Sequence, residues 1–104
     1  MSGSSGGGYV PSVRTNFDCD TGVILTNLSS IDITVLVRCS IGDILHVRIE
    51  HDIVIVEDGN GEILGSVVHA NVVELKECIE AGSSYAAKIL NITGTSCRVK
   101  IQKV

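Results

Sequence analysis

The sequence predicts a mainly β (α+β) fold: a small curled sheet or partly open β-barrel of five to six strands, packed by one helix at about residues 71–81. Three observations carry this. Hydrophobic residues make up 44% of the 104-residue chain and aromatic ones only 3%, so a core must be built from Val, Ile and Leu. Such β-branched side chains favour strands. Apolar and polar residues alternate through "ILHVRIE" and "SCRVKIQKV", the period of half-buried strands. One segment alone, "NVVELKECIEAG", combines helical spacing with start and stop signals.

The chain opens on "MSGSSGGG", which has no side chains to pack. Residues 1–16 therefore read as a disordered Gly/Ser-rich tail, extended through Pro11. The glycines do not form a phosphate loop. Tyr9 and Val10 follow them instead of Lys and Ser or Thr, and no strand precedes. Residues 17–104 form one domain, long enough to bury a core without metal or disulfide staples.

"VILTNL" (Val23 to Leu28) reads as the first strand. In the next segment Ser29, with Asp32 at the third position, resembles a helix start, but the β-branched residues that follow favour a strand. Ile31 to Cys39 thus stays open, with a short helix or turn leading into the next strand preferred. In "ILHVRIE", Leu45, Val47 and Ile49 face inward and His46, Arg48 and Glu50 outward. His51-Asp52 is short enough for a hairpin turn. "IVIV" (Ile53 to Val56) is apolar on both faces and predicts a central, well-covered strand. Asp58 to Gly61 supplies residues that tolerate positive φ. Gly65 in "EILGSVV" marks a bulge or bend. Asn71 caps the helix with Glu74 at its third position. Val72, Leu75, Cys78 and Ile79 share its apolar face, and Gly82 ends it. "SYAAKILNI" and "SCRVKIQKV", joined by "TGT", close the chain as a second hairpin.

Composition narrows the function classes. Net charge is −4 and the pI is near 5.2, against the basic excess of most nucleic-acid binders and against anionic membrane surfaces. No apolar run reaches the ~18 residues of a membrane span, and no leader pattern is visible. A cytosolic protein is the expectation. Cys19, Cys39, Cys78 and Cys97 lack C-x-x-C spacing, so they read as reduced, buried, small apolar residues and not as zinc ligands. Asp18 and Asp20 disfavour Cys19 as a nucleophile. His46 and His51 lie on or beside an exposed strand face and His69 just before the helix; all three read as solvated. Glu74, Glu77 and Glu80 read as the outer face of the helix. No catalytic motif and no metal or cofactor pattern is present, so the expectation is a non-catalytic protein without cofactors.

One distribution stands out. Of eight basic residues, four (Lys88, Arg98, Lys100 and Lys103) lie in the last hairpin, and no acidic residue follows Glu80. If Lys88 lies opposite the last strand, it joins Arg98 and Lys100 in a ridge that can contact nucleic acid or another anion. The bland alternative is a solvated edge strand whose lysines discourage aggregation. For stacking bases, only Phe17, Tyr85 and Tyr9 are available.

From Gly42 to Val104, the order of strand, "GNGEILGSV" with Gly61 and Gly65, helix ending at Gly82, "YAAKIL", turn and final strand resembles the HIRAN domain family. The resemblance implies a small β-barrel with helical elements, of a kind found in bacterial proteins and fused to DNA-remodelling enzymes. Some members bind single-stranded DNA ends. The favoured reading is a macromolecule-binding module whose partner is another protein, met through the tail and the edge strands. Self-association through those edges is a further route. Nucleic-acid binding on Lys88, Arg98 and Lys100 is the alternative, and an enzyme or enzyme subunit the second.

Overall fold

A computed structural model describes residues Phe17–Val104; the tail expected at residues 1–16 lies outside the described residues. Six strands form one antiparallel sheet: β1 (Val23–Asn27), β2 (Ile44–Glu50), β3 (Ile53–Glu57), β4 (Ile63–Ser66), β5 (Tyr85–Thr93) and β6 (Ser96–Lys103). Two helices join them, α1 (Ile33–Leu36) and α2 (Val72–Glu80). The strand order is β1-β6-β5-β2-β3-β4. The sheet curls into a half-barrel because its outermost strands meet at one end. Ser29, just past β1, forms an isolated bridge with Ser66 of β4, each N–H donating to the other's carbonyl at 2.8 Å. Glycine makes that meeting possible. A Cβ at Gly65 would lie 2.8 Å from the Ser29 carbonyl oxygen. The register also slips between Val56 and Glu57, so the bend expected at Gly65 is a bulge beside a close backbone approach.

The inner face carries Ile24, Leu45, Val47, Val54, Val56, Leu64, Ala87, Ile89, Val99 and Ile101. Val35 and Leu36 of α1, and Leu75 and Cys78 of α2, join this cluster. Tyr85 is the largest fully buried side chain. Its hydroxyl donates to the Cys19 carbonyl at 2.6 Å.

The hairpin turns are built as their residues suggest. His51 and Asp52 both adopt positive φ, 50° and 67°, which matches the twist of the flanking strands. Asp58 Oδ1 accepts from the N–H groups of Asn60 and Glu62 at 2.9 and 3.0 Å.

Several expectations change. The open segment is a helix of four residues, capped by Asp32 through the Thr34 N–H at 2.9 Å. Ser29 does not start it, because its backbone is spent on the bridge to Ser66. The domain therefore carries two helices, not one. "IVIV" does form an interior, well-covered strand: β3 pairs with β2 on one side and β4 on the other, and Val54, Ile55 and Val56 are all buried. Across from its outward Ile55 lies ion-paired Arg48. Glu74 is 8% exposed and belongs to the buried side of α2, not its outer face. Asn71 stands at the N-cap but makes no side-chain capping bond; its backbone N–H donates instead to His69 Nδ1 at 3.0 Å.

The largest correction concerns sulfur. Cys19 and Cys78 form a disulfide, with Cα atoms 5.6 Å apart across 59 residues of sequence. Cys39 and Cys97 are free thiols. Burial pushes both thiols above their ordinary pKa, which suits inert packing residues. Helical spacing does turn Cys78 inward, as its face predicts. What it meets there is the strap Phe17–Gly22, held against the barrel by Tyr85. Nothing in the spacing of the cysteines reports that contact.

Candidate binding face

The outer face of the sheet is where charge and apolar surface coincide. Lys88 of β5 lies directly opposite Lys100 of β6. The row continues outward on both sides, with Ile44 of β2 opposite Lys88 and Leu25 of β1 opposite Lys100. Four adjacent strands thus present Leu25, Lys100, Lys88 and Ile44 in line. With strands about 4.8 Å apart, the row spans roughly 14 Å. The next row is Val23, Gln102, Ala86 and His46. Between the rows lies a groove of about 190 Å³, lined by Ile44, Ala86, Lys88, Lys100, Gln102 and Val104.

The local backbone explains this placement. Alternation in β6 sends Cys97, Val99 and Ile101 into the core and Arg98, Lys100 and Gln102 outward. In β5 a register shift between Ile89 and Asn91 leaves Leu90 as the extra residue. Arg98 therefore faces Asn91 on one side and Asn27 on the other. Lys88, Lys100 and Arg98 share one face, as the ridge required. Arg98 sits beyond the bulge, flanking the groove and not lining it.

Lys103 leaves the group. It has the parity of the core-facing residues, opposite Tyr85, and its ammonium pairs with Asp20 of the strap. That contact raises its pKa, through the hydrogen bond and the charge of Asp20.

The ion pairs of the rest of the domain sharpen the contrast. Arg38 binds Glu62 at 2.8 Å, Arg48 binds Glu50 and Glu57 at 2.7 Å each, and Lys76 binds Asp52 at 2.6 Å. Among the described residues Lys88, Arg98 and Lys100 have no such partner, while every other described basic residue has one. Like charges directly opposite on a sheet are destabilising, by roughly 0.2–1 kcal/mol. The lysines are also not on an edge strand: β5 and β6 hold the third and second places of six in the sheet. Protection of an exposed edge against aggregation is therefore not their role.

Large apolar side chains border these charges. Leu25 is 47% exposed and Ile44 63%, with Val23 and Val104 beside them. The charge distribution of the sequence marks the cations but not this border. The signal for it was visible, because "VILTN" is apolar at both parities.

The remaining polar candidates stay dispersed. His46 and His51 are exposed, and His69 is half-buried against Asn71. No three His, Cys, Asp or Glu side chains among the described residues converge as a metal set. Tyr85 is in the core and Phe17 is half-buried with its ring centroid 6.3 Å from that of Tyr85, so neither offers a free face for a base; Tyr9 lies outside the described residues. No helix among the described residues is long and apolar enough to cross a membrane. No protein-family model, no curated protein and no solved structure matches this chain.

Proposed function

We propose that the chain is a non-catalytic binding module that meets another protein through the outer face of its sheet. The observation that carries this is the row Leu25–Lys100–Lys88–Ile44. Exposed aliphatic side chains flank unneutralised charge on the middle of a sheet, where solvation alone calls for neither. Apolar surface rimmed by polar groups is the ordinary composition of a recognition patch. The paired strands beneath it fix the points from which the side chains project, so binding requires no ordering of the backbone.

A nucleic-acid role on the same ridge is the second reading. The three unpaired cations favour it, in line with the HIRAN resemblance. The disulfide bears on location. Such bonds persist in oxidising compartments and are rare in reducing ones, so Cys19–Cys78 argues for residence outside the cytosol, against the expectation from sequence.

A photo-crosslinking amino acid placed at Ile44 or at Leu25, in cells that express the chain, tests the assignment of the face. The same position at Val73, exposed on α2, serves as control. Adducts to one protein from Ile44 and Leu25, absent from Val73, are the expected result. Adducts of equal yield from all three positions, or none from the sheet face, refute it.

A further inference from the structure

We infer that the partner segment bound on this face is an extended acidic peptide, which sets a carboxylate between Lys88 and Lys100 and aliphatic side chains against Ile44 and Leu25. This rests on the binding-module reading and deepens it. Two ammonium groups face each other across one strand pair, with no carboxylate of the described chain neutralising them. A carboxylate placed between them accepts charge-assisted hydrogen bonds from both and removes the repulsion that the free protein carries.

Size and polarity come next. The groove of about 190 Å³ has Lys88 and Lys100 in one row of its lining and Ala86 and Gln102 in the next, with Ile44 and Val104 completing it. That is room for one or two side chains, not for a folded surface. The ligand must therefore reach it as a segment. Its neighbours along the row must be apolar, because Leu25 and Ile44 flank the lysines at both ends. An extended strand with an aliphatic residue two positions before and two positions after an acidic one supplies this pattern, since successive side chains point to opposite faces and every second one returns to the groove.

A polynucleotide fits less well. Phosphodiester chains bring negative charge at every step, while the protein carries −4. Base stacking needs exposed aromatic faces, and of the aromatic residues among the described ones Tyr85 is buried and Phe17 lies half-buried near its ring. The aliphatic flanks offer phosphate nothing.

The test is selection from a displayed library of random twelve-residue peptides, using the full 104-residue chain as bait. Fluorescence anisotropy of the enriched peptides and of a twelve-nucleotide single-stranded DNA follows. Enriched peptides are expected to carry Asp or Glu with Val, Ile or Leu two positions before and two positions after it. Their affinity is expected to fall at least tenfold for the double variant Lys88→Glu with Lys100→Glu, and to survive Lys88→Arg with Lys100→Arg. The arginine pair controls for folding, as it keeps the charge. Peptides without acidic enrichment whose binding still falls on Ile44→Asp overturn the acidic partner while leaving the face intact. Peptides indifferent to Ile44→Asp and to the lysine variants overturn both. DNA binding that exceeds the best peptide and is lost with the lysines assigns the face to nucleic acid and overturns the inference. Saturable self-association that depends on Ile44 overturns it in favour of a second copy of the chain.

Discussion

Opening the Cys19–Cys78 bond is expected to cost the domain a large share of its stability. The bond closes a loop across 59 residues, and the chain entropy that such a cross-link removes from the unfolded state amounts to about 4 kcal/mol at 25 °C. A domain of this size has a total stability of roughly 4–13 kcal/mol, so the loss is a third or more of what holds it folded. The perturbation is reduction with a phosphine, or Cys19→Ala together with Cys78→Ala, which removes the thiols from consideration. The assay is urea denaturation followed by circular dichroism. With a denaturant slope of about 1–2 kcal/mol/M, the midpoint falls by roughly 2–4 M. Thiol titration in urea supplies the covalent check. Two thiols, Cys39 and Cys97, are expected before reduction and four after it. Coincident unfolding curves with and without reductant, or four thiols before reduction, refute the reasoning.

Three further outcomes follow from contacts already described. Gly65→Ala drives a Cβ to 2.8 Å from the Ser29 carbonyl oxygen, and because backbone must yield, a loss of about 1–3 kcal/mol in urea unfolding is expected; an unchanged midpoint removes the close approach from the account of barrel closure. Tyr85→Phe deletes the hydroxyl that donates to the Cys19 carbonyl and is expected to cost about 1 kcal/mol, read from the same curves. Asp18, Asp32 and Asp58 accept hydrogen bonds that hold their carboxyls below the ordinary value of 3.8. Depressed folded values mean that their contribution is present above pH 3.8 and is lost as pH falls through the folded values. The urea midpoint should therefore decline below about pH 4, and less steeply with all three changed to Asn.

The sheet was legible because its strands follow two rules that act locally, alternation and turn chemistry. Leu45, Val47, Cys97, Val99 and Ile101 fall inward as their parity requires, and His51-Asp52 and Asp58–Gly61 turn where their side chains and backbones tolerate it. Long-range pairing was not legible. The apolar run Ile53 to Val56 does mark an interior strand, but it does not tell what lies on the outer face, where ion-paired Arg48 stands opposite Ile55. Glu74 reads as solvated because charge outweighs helical phase in a short helix, although it lies one residue from Leu75 and four from Cys78. The disulfide was missed for the same reason: Cys19 precedes the first strand and Cys78 sits in a helix, and only the closed barrel brings them together. The cationic ridge was half legible. Register placed Lys88 against Lys100 as the charge distribution suggested, but the bulge at Leu90 and the parity of Lys103 depend on details of pairing that composition does not carry.

The pairing of β1 with β6 sets an order of events during synthesis. The first strand among the described residues, Val23–Asn27, has as its sheet neighbour the last one, Ser96–Lys103. Until that final hairpin leaves the ribosome, β1 has none of the other described strands beside it, and β2 lacks the β5 partner on which the other half of the sheet grows. The β2–β3–β4 meander can pair early, since its contacts are local. The rest must wait. A nascent chain halted before Ser96 would display the apolar Val23–Leu28 segment unpaired. The native sheet is therefore completed late, when the β5–β6 hairpin enters between β1 and the meander already formed.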